Sequence, residues 1–234
     1  MKNLTLSIVS HKNIDEIILL LDSLIGTDHE CIAKIVITIN TPEDISETNF
    51  EKYPYNFKFI KNKSVKGFGE NHNKAFKFCE TQYFLVINPD IIFPTTFKFQ
   101  NLVSKLVMPC GLVTGNIITN NKIIHPRKFP KIKDYFLLKK NIHLNCEFND
   151  VDWISGCFML FDKNIFSAVN GFDERFFLYM EDVDICRRIK KNKFVIRVVP
   201  DVNIIHNSKN RSYKSLKHLF MHILSIYKYF KGFN

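Results

Sequence analysis

The sequence predicts an α/β fold in which a mostly parallel, mixed sheet is flanked by helices. Three short segments near the N-terminus, residues 4–10, 34–39 and 57–60, are apolar along most of their length, as expected of strands that are buried on both faces. Between the first two of them, apolar residues recur at helical spacing from Ile14 to Ile25. A strand, a helix and a second strand in this order are typical of a parallel pair joined by a crossover helix.

Each further element follows from a local signal. The first helix begins after Asn13, an N-cap residue, and Glu16 is placed to complete a capping box. A glycine turn at 67–69 leads into a short helix, and an apolar strand over 83–87 ends at the turn Asn88-Pro89-Asp90. The later predicted elements are helices over 96–107, 181–191 and 213–231, and strands over 111–119, 122–124 and 194–205, with a turn at Asn120-Asn121.

The chain is predicted to form one globule with a soft internal boundary. Its 234 residues, of which 46% are hydrophobic, are enough for one sizeable core. After Gly111 the predicted strands become shorter, but no low-complexity linker separates them from the preceding part. We therefore divide the chain into residues 1–115, residues 116–213 and a terminal helical segment, residues 214–234.

Cysteine usage and hydropathy indicate a protein of the cytosol. The six cysteines are scattered and include no CxxC pair, which argues against a zinc site or a disulfide framework. The apolar run after Lys2 is interrupted by polar residues and lacks a small-residue cleavage site, and no run approaches the ~20 residues that span a bilayer. Neither a signal peptide nor a membrane span is expected.

The net charge of +10 requires an anionic partner as its explanation. The candidate classes are nucleic acid, an anionic membrane surface and a phosphate-rich substrate, and composition does not choose among them. A nucleic-acid-binding module is disfavoured because the basic residues are dispersed and no nucleic-acid-binding motif is present.

Two turns at the ends of predicted strands carry candidate ligand residues. Asn88-Pro89-Asp90 is an ordinary turn sequence, but ligands of open α/β sheets bind beyond the carboxyl ends of the strands. There the Asp90 carboxylate would hold a divalent ion that bridges two phosphates, and oxygen ligation favours Mg²⁺ or Mn²⁺. Gly67 and Gly69 either permit a tight turn or let the backbone approach a nucleotide, with Asn73 supplying an amide.

An acidic cluster, residues 181–184, opens the predicted helix over 181–191. Acids in a first helical turn often serve only the helix dipole. Helical phase separates two of them, because Asp182 shares the apolar side with Cys186, whereas Asp184 faces Arg187 and Arg188. An inward carboxylate that a helix N-terminus keeps ionised suits a general base, so Asp182 is the candidate.

Three other features have a functional and a structural interpretation. His206 follows the predicted strand over 194–205, where a histidine either is structural or completes the coordination of a metal at Asp90. The aromatic turn at 172–177 either packs or contacts an acceptor sugar. Arg127 lies in a basic loop that either meets a pyrophosphate or is solvated.

In this order, the motifs together resemble those of the family 2 inverting glycosyltransferases, most closely a bacterial rhamnosyltransferase-like branch. Each motif is unspecific alone, and the ordered set covers nearly the whole chain. The matching segments are Ser7-Ile8-Val9-Ser10, Gly67-Phe68-Gly69 with Asn73, Asn88-Pro89-Asp90 in the place of the family's DxD motif, Trp153-Ile154-Ser155-Gly156, Gly171-Phe172-Asp173-Glu174, Glu181-Asp182-Val183-Asp184 and His206.

The resemblance implies a GT-A fold, with a nucleotide-sugar-binding half at 1–115 and an acceptor-binding and catalytic half at 116–213. It implies Asp182 as the base, with Glu181 beside it, and Asp90 and His206 as ligands of Mn²⁺ or Mg²⁺. A single displacement then inverts the anomeric carbon. The implied donor-binding residues are Ser10, Asn40, Gly67, Gly69, Asn73, Asn88 and Asp90, and the implied acceptor-binding residues are Arg127, Trp153, Ser155, Gly156, Asp173 and Glu174.

The chain departs from the family pattern in two places. After the second strand the family usually carries Asp-Asn, whereas this chain has Ile39-Asn40-Thr41-Pro42, so that Asn40 is the candidate substitute for the acidic contact to the nucleobase. The first acid of the DxD motif is replaced by Asn88, which leaves Asp90 to carry most of the metal site.

The predicted last helix combines an apolar stripe with lysines around it. Such a helix either packs on the core with a soluble rim or lies at the surface of an anionic membrane leaflet. The second interpretation would explain the charge excess and the access to a lipid-linked acceptor. The apolar residues are Leu216, Leu219, Phe220, Ile223, Leu224, Tyr227 and Phe230, and the lysines are Lys214, Lys217, Lys228 and Lys231.

These observations predict a cytoplasmic glycosyltransferase that is peripheral at the inner face of the cytoplasmic membrane. We expect it to move L-rhamnose from dTDP-rhamnose to a polyprenyl-diphosphate-linked saccharide or another glycan, in the assembly of a cell-surface polysaccharide such as O-antigen or capsule. The alternative within the same class is a UDP-sugar donor, UDP-galactose or UDP-N-acetylglucosamine. No nucleic-acid partner is expected.

Overall fold

A computed structural model describes residues 2–43, 45, 47–131, 150–208 and 216–232. The strands within these ranges form one mixed sheet: β1 (Leu4–Ser10), β2 (Ile32–Ile39), β3 (Phe57–Lys61), β4 (Tyr83–Ile87), β5 (Ile91–Ile92), β6 (Cys110–Thr119), β7 (Lys122–Ile124), β8 (Phe158–Asp162) and β9 (Val195–His206). The helices are α1 (Ile14–Leu24), α2 (Phe68–Phe76), α3 (Phe99–Val103), α4 (Lys163–Ala168), α5 (Glu181–Lys191) and α6 (Leu216–Lys231).

The strand order is β3-β2-β1-β4-β8-β6-β9-β5, and β7 pairs with β6. The strands β3, β2, β1 and β4 are parallel to one another, as predicted, and β6 is parallel to β9. The strand β8 joins the two groups through antiparallel pairs with β4 and β6. The sheet is therefore continuous across residue 115, which lies inside β6.

Each face of the sheet has its own apolar core. On one face, Leu20 of α1 and Leu102 of α3 pack with Leu85 of β4. On the other face, Ala75 of α2 and Ile185 of α5 belong to the same cluster as the neighbouring strand residues of β4. The alternation along β4 sends successive side chains to opposite cores, as a central strand requires.

Two helices differ from their predicted form. Asn13 is the N-cap of α1, as predicted, but its side chain makes no capping bond to the helix and accepts instead from the His11 N–H at 3.3 Å. The helix α3 covers less of the chain than predicted, because its first N–H groups, of Phe99 and Gln100, bind the two carboxylate oxygens of Asp28. That distant carboxylate fixes where the helix begins.

Other predictions are confirmed or lie outside the described residues. Asn120 and Asn121 both adopt positive φ, 51° and 59°, as the hairpin turn between β6 and β7 requires. The predicted last helix is described from Leu216, and residues 213–215 and Cys146 lie outside the described ranges. The other five cysteines are free thiols.

Candidate active site

The candidate site lies where β1, β2 and β4 end, at the carboxyl edge of the parallel strands. Ser10 is fully buried, and its hydroxyl accepts from the Asn13 N–H at 3.2 Å, so it stabilises the start of α1. At the end of β2, the Asn40 amide oxygen accepts from the Lys66 N–H at 2.8 Å and from Asn62 Nδ2 at 3.0 Å. Asn40 therefore holds the loop before α2, a role that its sequence position did not suggest.

Asp90 and His206 are brought together as predicted. The short strand β5 pairs with β9 so that Ile91 lies opposite His206, and the Asn207 N–H donates to the Asp90 carbonyl at 2.8 Å. His206 Nε2 lies 3.3 Å from Asp90 Oδ1, and its Nδ1 lies 3.2 Å from Thr119 Oγ1. The Thr119 hydroxyl thus orients the ring through Nδ1, and a bond at the second ring nitrogen is what fixes the orientation of a metal-ligating histidine.

The Asp90 and His206 pair fits a divalent ion whose other ligands are not protein groups. Asp90 Oδ1 is buried, and no hydrogen bond to it is present among the described residues. No group of three or more His, Cys, Asp or Glu residues in the described part of the chain is arranged to hold a metal. Two protein ligands with diphosphate oxygens and water complete the shell that Mg²⁺ or Mn²⁺ takes at nucleotide sites.

Residues 155–157 connect this edge of the sheet to the acidic cluster. The Asn88 N–H donates to the Cys157 carbonyl at 2.9 Å, where β8 pairs with β4, and the Gly156 N–H donates to Asp182 Oδ2 at 3.1 Å. Burial, together with the charges of Asp90 and Asp182, raises the pKa of the Cys157 thiol to about 12. Residues 156 and 157 therefore link the end of β4 to the Asp182 carboxylate.

Asp182 and Glu181 begin helix α5 and have different surroundings. The half-buried Asp182 carboxylate accepts from the N–H groups of Gly156 and, at 2.8 Å, Val183. Burial raises its pKa, and the two hydrogen bonds and the charge of Arg127 oppose that rise. Glu181 is only 6% exposed, and its Oε2 has no hydrogen-bond partner among the described residues. Burial and the Asp182 charge raise the pKa of Glu181 well above its ordinary value.

The predicted helical phase is correct for one contact of Asp184 and wrong for its burial. Arg188 donates from Nε at 2.8 Å to Asp184 Oδ2, which confirms this predicted pair. Arg187 lies over the ring of Tyr229, 5.4 Å from its centroid. Asp184 is 8% exposed and is more buried than Asp182. The reason is that Arg188 also binds the Val169 and Gly171 carbonyls, and this part of the chain covers the first turn of the helix.

The glycines of the predicted donor loop let α2 approach the segment 172–177. A Cβ at Gly67 would lie 2.9 Å from the Phe177 carbonyl oxygen, and one at Gly69 would lie 2.5 Å from Phe172 Cβ. The Asn73 amide accepts from the Phe172 N–H at 2.8 Å and donates to the Phe172 carbonyl at 2.8 Å. These residues thus form a tight joint, and their predicted contacts with a donor stay a prediction.

Both acids after Phe172 are engaged within the protein. Asp173 forms a short ion pair with Arg175, 2.6 Å from Nη2 to Oδ2. Burial acts to raise the pKa of Asp173, but the hydrogen bonds from Arg175 outweigh it and the pKa is lowered. The Glu174 carboxylate accepts from Asn73 Nδ2 at 3.0 Å. The predicted acceptor contacts of the two acids would compete with these bonds.

Arg127 and Trp153, two of the predicted acceptor-binding residues, lie together, and their contact with an acceptor stays a prediction. Their backbones form an antiparallel bridge, and the Arg127 guanidinium lies 5.0 Å from the Trp153 ring centroid. Trp153 Nε1 donates to the Lys128 carbonyl at 2.9 Å, which fixes the indole plane. Because the charge of Arg127 lowers the pKa of Asp182, this cation lies near the candidate base. Ser155 hydrogen-bonds the Cys157 thiol.

An amide network at the start of α2 was missed from the sequence. Asn62 Nδ2 donates to Asn71 Oδ1 at 2.7 Å, and Asn71 Nδ2 donates to the Gly67 carbonyl at 2.9 Å. Asn71 is 1% exposed although it lies in a polar segment. The signal available in the sequence was a cluster of three asparagines between residues 62 and 73.

Most of the predicted apolar stripe of α6 faces solvent, whereas its last member, Phe230, packs against the protein. Among its members, Leu219, Phe220, Ile223 and Tyr227 are 55–62% exposed, and Leu216 is 86% exposed. The helix packs through another side, where Ser225 and Tyr229 are buried. No helix within the described ranges combines the length and the hydropathy that crossing a bilayer requires.

The fold and the site define the class as a glycosyltransferase of GT-A fold. The structure of GalNAc-T7 with UDP, GalNAc and Mn²⁺ superposes with a TM-score of 0.71 at 13% identity, over 89% of this chain and 44% of that one. A mannosyltransferase from Pyrobaculum calidifontis in complex with GDP-Man and Mn²⁺ gives a TM-score of 0.67 at 12% identity, over 98% and 64%. The chain thus spans less than two thirds of each of these proteins.

The chain belongs to glycosyltransferase family 2. The model of that family matches residues 5–169, and a model described as the N-terminal domain of galactosyltransferase matches residues 142–219. Rhamnosyltransferase WbbL of Escherichia coli is 31% identical over 95% of this chain and 90% of its own length. An N-acetylglucosaminyl-diphospho-decaprenol L-rhamnosyltransferase of Mycobacterium tuberculosis is 37% identical over 33% of this chain and 25% of its own length.

Proposed function

We propose that this protein transfers L-rhamnose from dTDP-L-rhamnose to a lipid-linked saccharide in cell-surface polysaccharide assembly, with inversion at the anomeric carbon. The observation that carries the proposal is the placement of the Asp182 carboxylate, held by Gly156 on the same segment that pairs with Asn88 at the sheet edge. The names of the two rhamnosyltransferase relatives support the sugar, and the name of the second supports a diphospho-polyprenol acceptor.

In the proposed mechanism, Asp182 accepts the proton of the acceptor hydroxyl as the oxygen forms its bond to the anomeric carbon. The bond from that carbon to the diphosphate oxygen breaks in the same displacement, and the nucleotide diphosphate leaves with the electron pair. The hydrogen bonds from Gly156 and Val183 fix the carboxylate for this transfer. Arg127, over Trp153, adds a positive charge on the acceptor side.

Asp90 and His206 would hold Mn²⁺ or Mg²⁺ against the diphosphate. When bound, the ion supplies charge neutralisation for the departing diphosphate. The unbonded Asp90 Oδ1, with His206 Nε2 3.3 Å away, is the observation that supports this assignment. The structures of two neighbours contain Mn²⁺, which supports a divalent ion at this site.

We further propose that α6 lies on the anionic inner face of the cytoplasmic membrane. Its exposed apolar stripe and the neighbouring Lys228 and Lys231 form the amphipathic surface that such binding uses. A position at the membrane surface would bring the site to a polyprenyl-linked acceptor. The charge excess of +10 supports an anionic surface as the partner.

A transfer assay with matched donors tests the proposal. The purified chain is incubated with a GlcNAc-diphospho-lipid acceptor, Mn²⁺ and dTDP-L-rhamnose, UDP-galactose or UDP-N-acetylglucosamine. We expect transfer from dTDP-L-rhamnose and an inverted anomeric configuration in the product by NMR. Transfer from a UDP-sugar alone would instead establish the alternative donor, which the match to the galactosyltransferase model favours.

A further inference from the structure

The C-terminal helix α6 packs onto the chain segment that leads into Asp182. Ser225 Oγ donates to the Leu178 carbonyl at 2.8 Å, and Lys228 Nζ donates to the Arg175 carbonyl at 2.7 Å. The Tyr179 hydroxyl lies 2.9 Å from His218 Nδ1. Three residues of α6, His218, Ser225 and Lys228, therefore each bind one point of the segment 175–179.

The contacting side of α6 combines polar and aromatic groups with the partly buried Ile226 and Phe230, while most of its apolar stripe is exposed. His218, His222, Ser225 and Tyr229 recur at spacings of four, three and four residues, which places them on one face. The His222 ring lies 4.9 Å from the Tyr179 ring, between centroids. A helix recruited only to bury apolar area would turn its apolar stripe inward. The inward face instead makes directional contacts, which specify the geometry of the bound segment.

That segment ends in a backbone conformation that needs external support. Tyr179 and Met180 have positive φ, 69° and 68°, a region that side chains other than glycine rarely adopt. They immediately precede Glu181, so they set the position at which α5 starts and the direction of Asp182. The earlier part of the segment is held from the donor side, where the Phe68 N–H donates to the Phe177 carbonyl at 2.9 Å.

A small apolar cluster ties the helix to the same turn. Tyr229 of α6 is 1% exposed and packs in one cluster with Phe176, Met180 and Val183. Met180 and Val183 flank Glu181 and Asp182 in the chain. The contacts of α6 therefore reach both sides of the acidic pair.

We propose that α6 is a positioning element of the active site and that Tyr179 is a positioning residue for Asp182. Through His218, Ser225 and Tyr229, α6 holds Tyr179 and Met180 in the left-handed conformation that starts α5. The proposal rests on the role of Asp182 as the base in the proposed function. It gives α6 a second role, on the side opposite to the exposed stripe.

The test compares two tyrosine-to-phenylalanine variants. Tyr179→Phe removes the hydroxyl that contacts His218 and keeps the ring, whereas Tyr53→Phe removes a hydroxyl that donates to Asp22 near the end of α1. For Tyr179→Phe with dTDP-L-rhamnose and a short-chain GlcNAc-diphospho-lipid, we expect kcat to fall by about 5-fold, the effect of one lost hydrogen bond. The KM for dTDP-L-rhamnose should stay unchanged, and Tyr53→Phe, which also loses one hydrogen bond, should keep the wild-type kcat.

A kcat of Tyr179→Phe equal to that of the wild type, or a rise in KM without a change in kcat, would overturn the proposal. The double variant Tyr179→Phe/His218→Leu adds a check, since it should lose no more kcat than His218→Leu alone if the two side chains act as a pair. Ser225→Ala, which frees the Leu178 carbonyl, serves as the second variant if Tyr179→Phe does not fold.

Hydrogen exchange separates failure of this proposal from failure of the proposed function. Tyr179→Phe, without any donor, should exchange the amides of residues 177–184 several-fold faster than Tyr53→Phe, because local opening becomes easier. Equal exchange in the two variants would overturn the positioning role even if rhamnose is transferred. If the wild type transfers no rhamnose but the two variants differ in exchange, the proposed donor is wrong. The support of the segment 175–179 by α6 is then still established.

Discussion

Asp182 and Glu181 are neighbours in the chain, but their surroundings favour different protonation states. Asp182 accepts two backbone N–H groups and lies in the field of Arg127, and these interactions offset part of the rise that burial causes in its pKa. The Glu181 carboxyl is buried beside that negative charge, and its Oε2 accepts no hydrogen bond from the described residues. The proton is therefore held more readily by Glu181, and Asp182 is the carboxylate suited to act as a base.

Replacing the base should affect the chemical step alone. We expect Asp182→Asn to lower kcat by about 10²- to 10⁴-fold, because a positioned proton acceptor is lost, with little change in the donor Kd measured by calorimetry. Burial raises the pKa of Asp182, so the kcat of the wild type should be lost on acidification at a higher pH than for an ordinary carboxylate. Turnover of the variant close to the wild-type rate would show that another group is the base.

Asp184→Asn is the matched control for that variant, since it removes a charge two residues further along the same helix. It breaks the ion pair with Arg188, which supports the chain at 169–171. We expect a loss of stability of about 1–3 kcal/mol in urea unfolding and a much smaller change in kcat. The two variants thus separate a catalytic role from a structural one.

The second residue-scale prediction concerns the metal site. Asn88→Asp introduces a second carboxylate in the same turn as Asp90. We expect it to tighten Mn²⁺ binding by about tenfold or more, because hard cations prefer anionic oxygen ligands. Asp90→Asn should weaken the binding by at least as much. Titration followed by electron paramagnetic resonance of free Mn²⁺ measures both. Identical affinities in the wild type and Asp90→Asn would place the ion elsewhere.

At the scale of elements, the joint between α2 and the segment 172–177 depends on close approach. A Cβ at Gly69 would lie 2.5 Å from Phe172 Cβ. We expect Gly69→Ala to destabilise the protein by about 1–3 kcal/mol, although alanine is the better helix former. Gly26→Ala is the control, because the nearest atom to its Cβ is 3.7 Å away. Equal thermal midpoints for the two variants would contradict the close packing of this joint.

The exposed side of α6 gives the prediction for membrane binding. We expect Leu219→Ser/Phe220→Ser to reduce partition to vesicles containing phosphatidylglycerol by about tenfold or more, because two apolar side chains no longer leave water. Val107→Ser changes a side chain of similar exposure, 62%, outside α6 and should leave partition unchanged. Co-sedimentation measures both. If the two variants sediment alike, α6 is not the membrane-binding surface.

At the scale of the whole molecule, the sequence predicted what local patterns determine. The parallel strands, the turn at Asn120-Asn121 and the edge that carries Asp90 follow from periodicity and turn chemistry. Sequence order also sufficed to bring His206 to Asp90. His206 is the last residue of β9, and Asp90 directly precedes β5, which pairs with that end of β9. Nothing local could place the Asp28 carboxylate on the first N–H groups of α3, 71 residues away.

The same limit explains which surroundings of the site residues the sequence did not predict. Gly69 and Asn73 carry a motif that predicts ligand contact, but their environment is set by Phe172, about a hundred residues later in the chain. The relative burial of Asp182 and Asp184 depends on which loop covers the first turn of α5, and helical phase alone does not contain that information. The polar inward face of α6 was missed because an apolar stripe is normally the buried one.

The continuity of the sheet leads to a prediction about unfolding. The predicted halves at 1–115 and 116–213 share β6, and Leu85 of β4 pairs with Leu160 of β8 across them. Both residues belong to one apolar core cluster. Because neither half can lose this core alone, we expect the two to unfold in a single cooperative transition.

Trp153, the single tryptophan of the chain, makes this testable, since its fluorescence reports on the second half while far-UV circular dichroism reports on both. In urea, the two signals should give the same midpoint and the same slope. A tryptophan transition at lower urea than the loss of circular dichroism would mean that the acceptor-side half opens first. That result would make the boundary near residue 115 a true limit between independently stable units, and the shared strand β6 would then belong to the first of them.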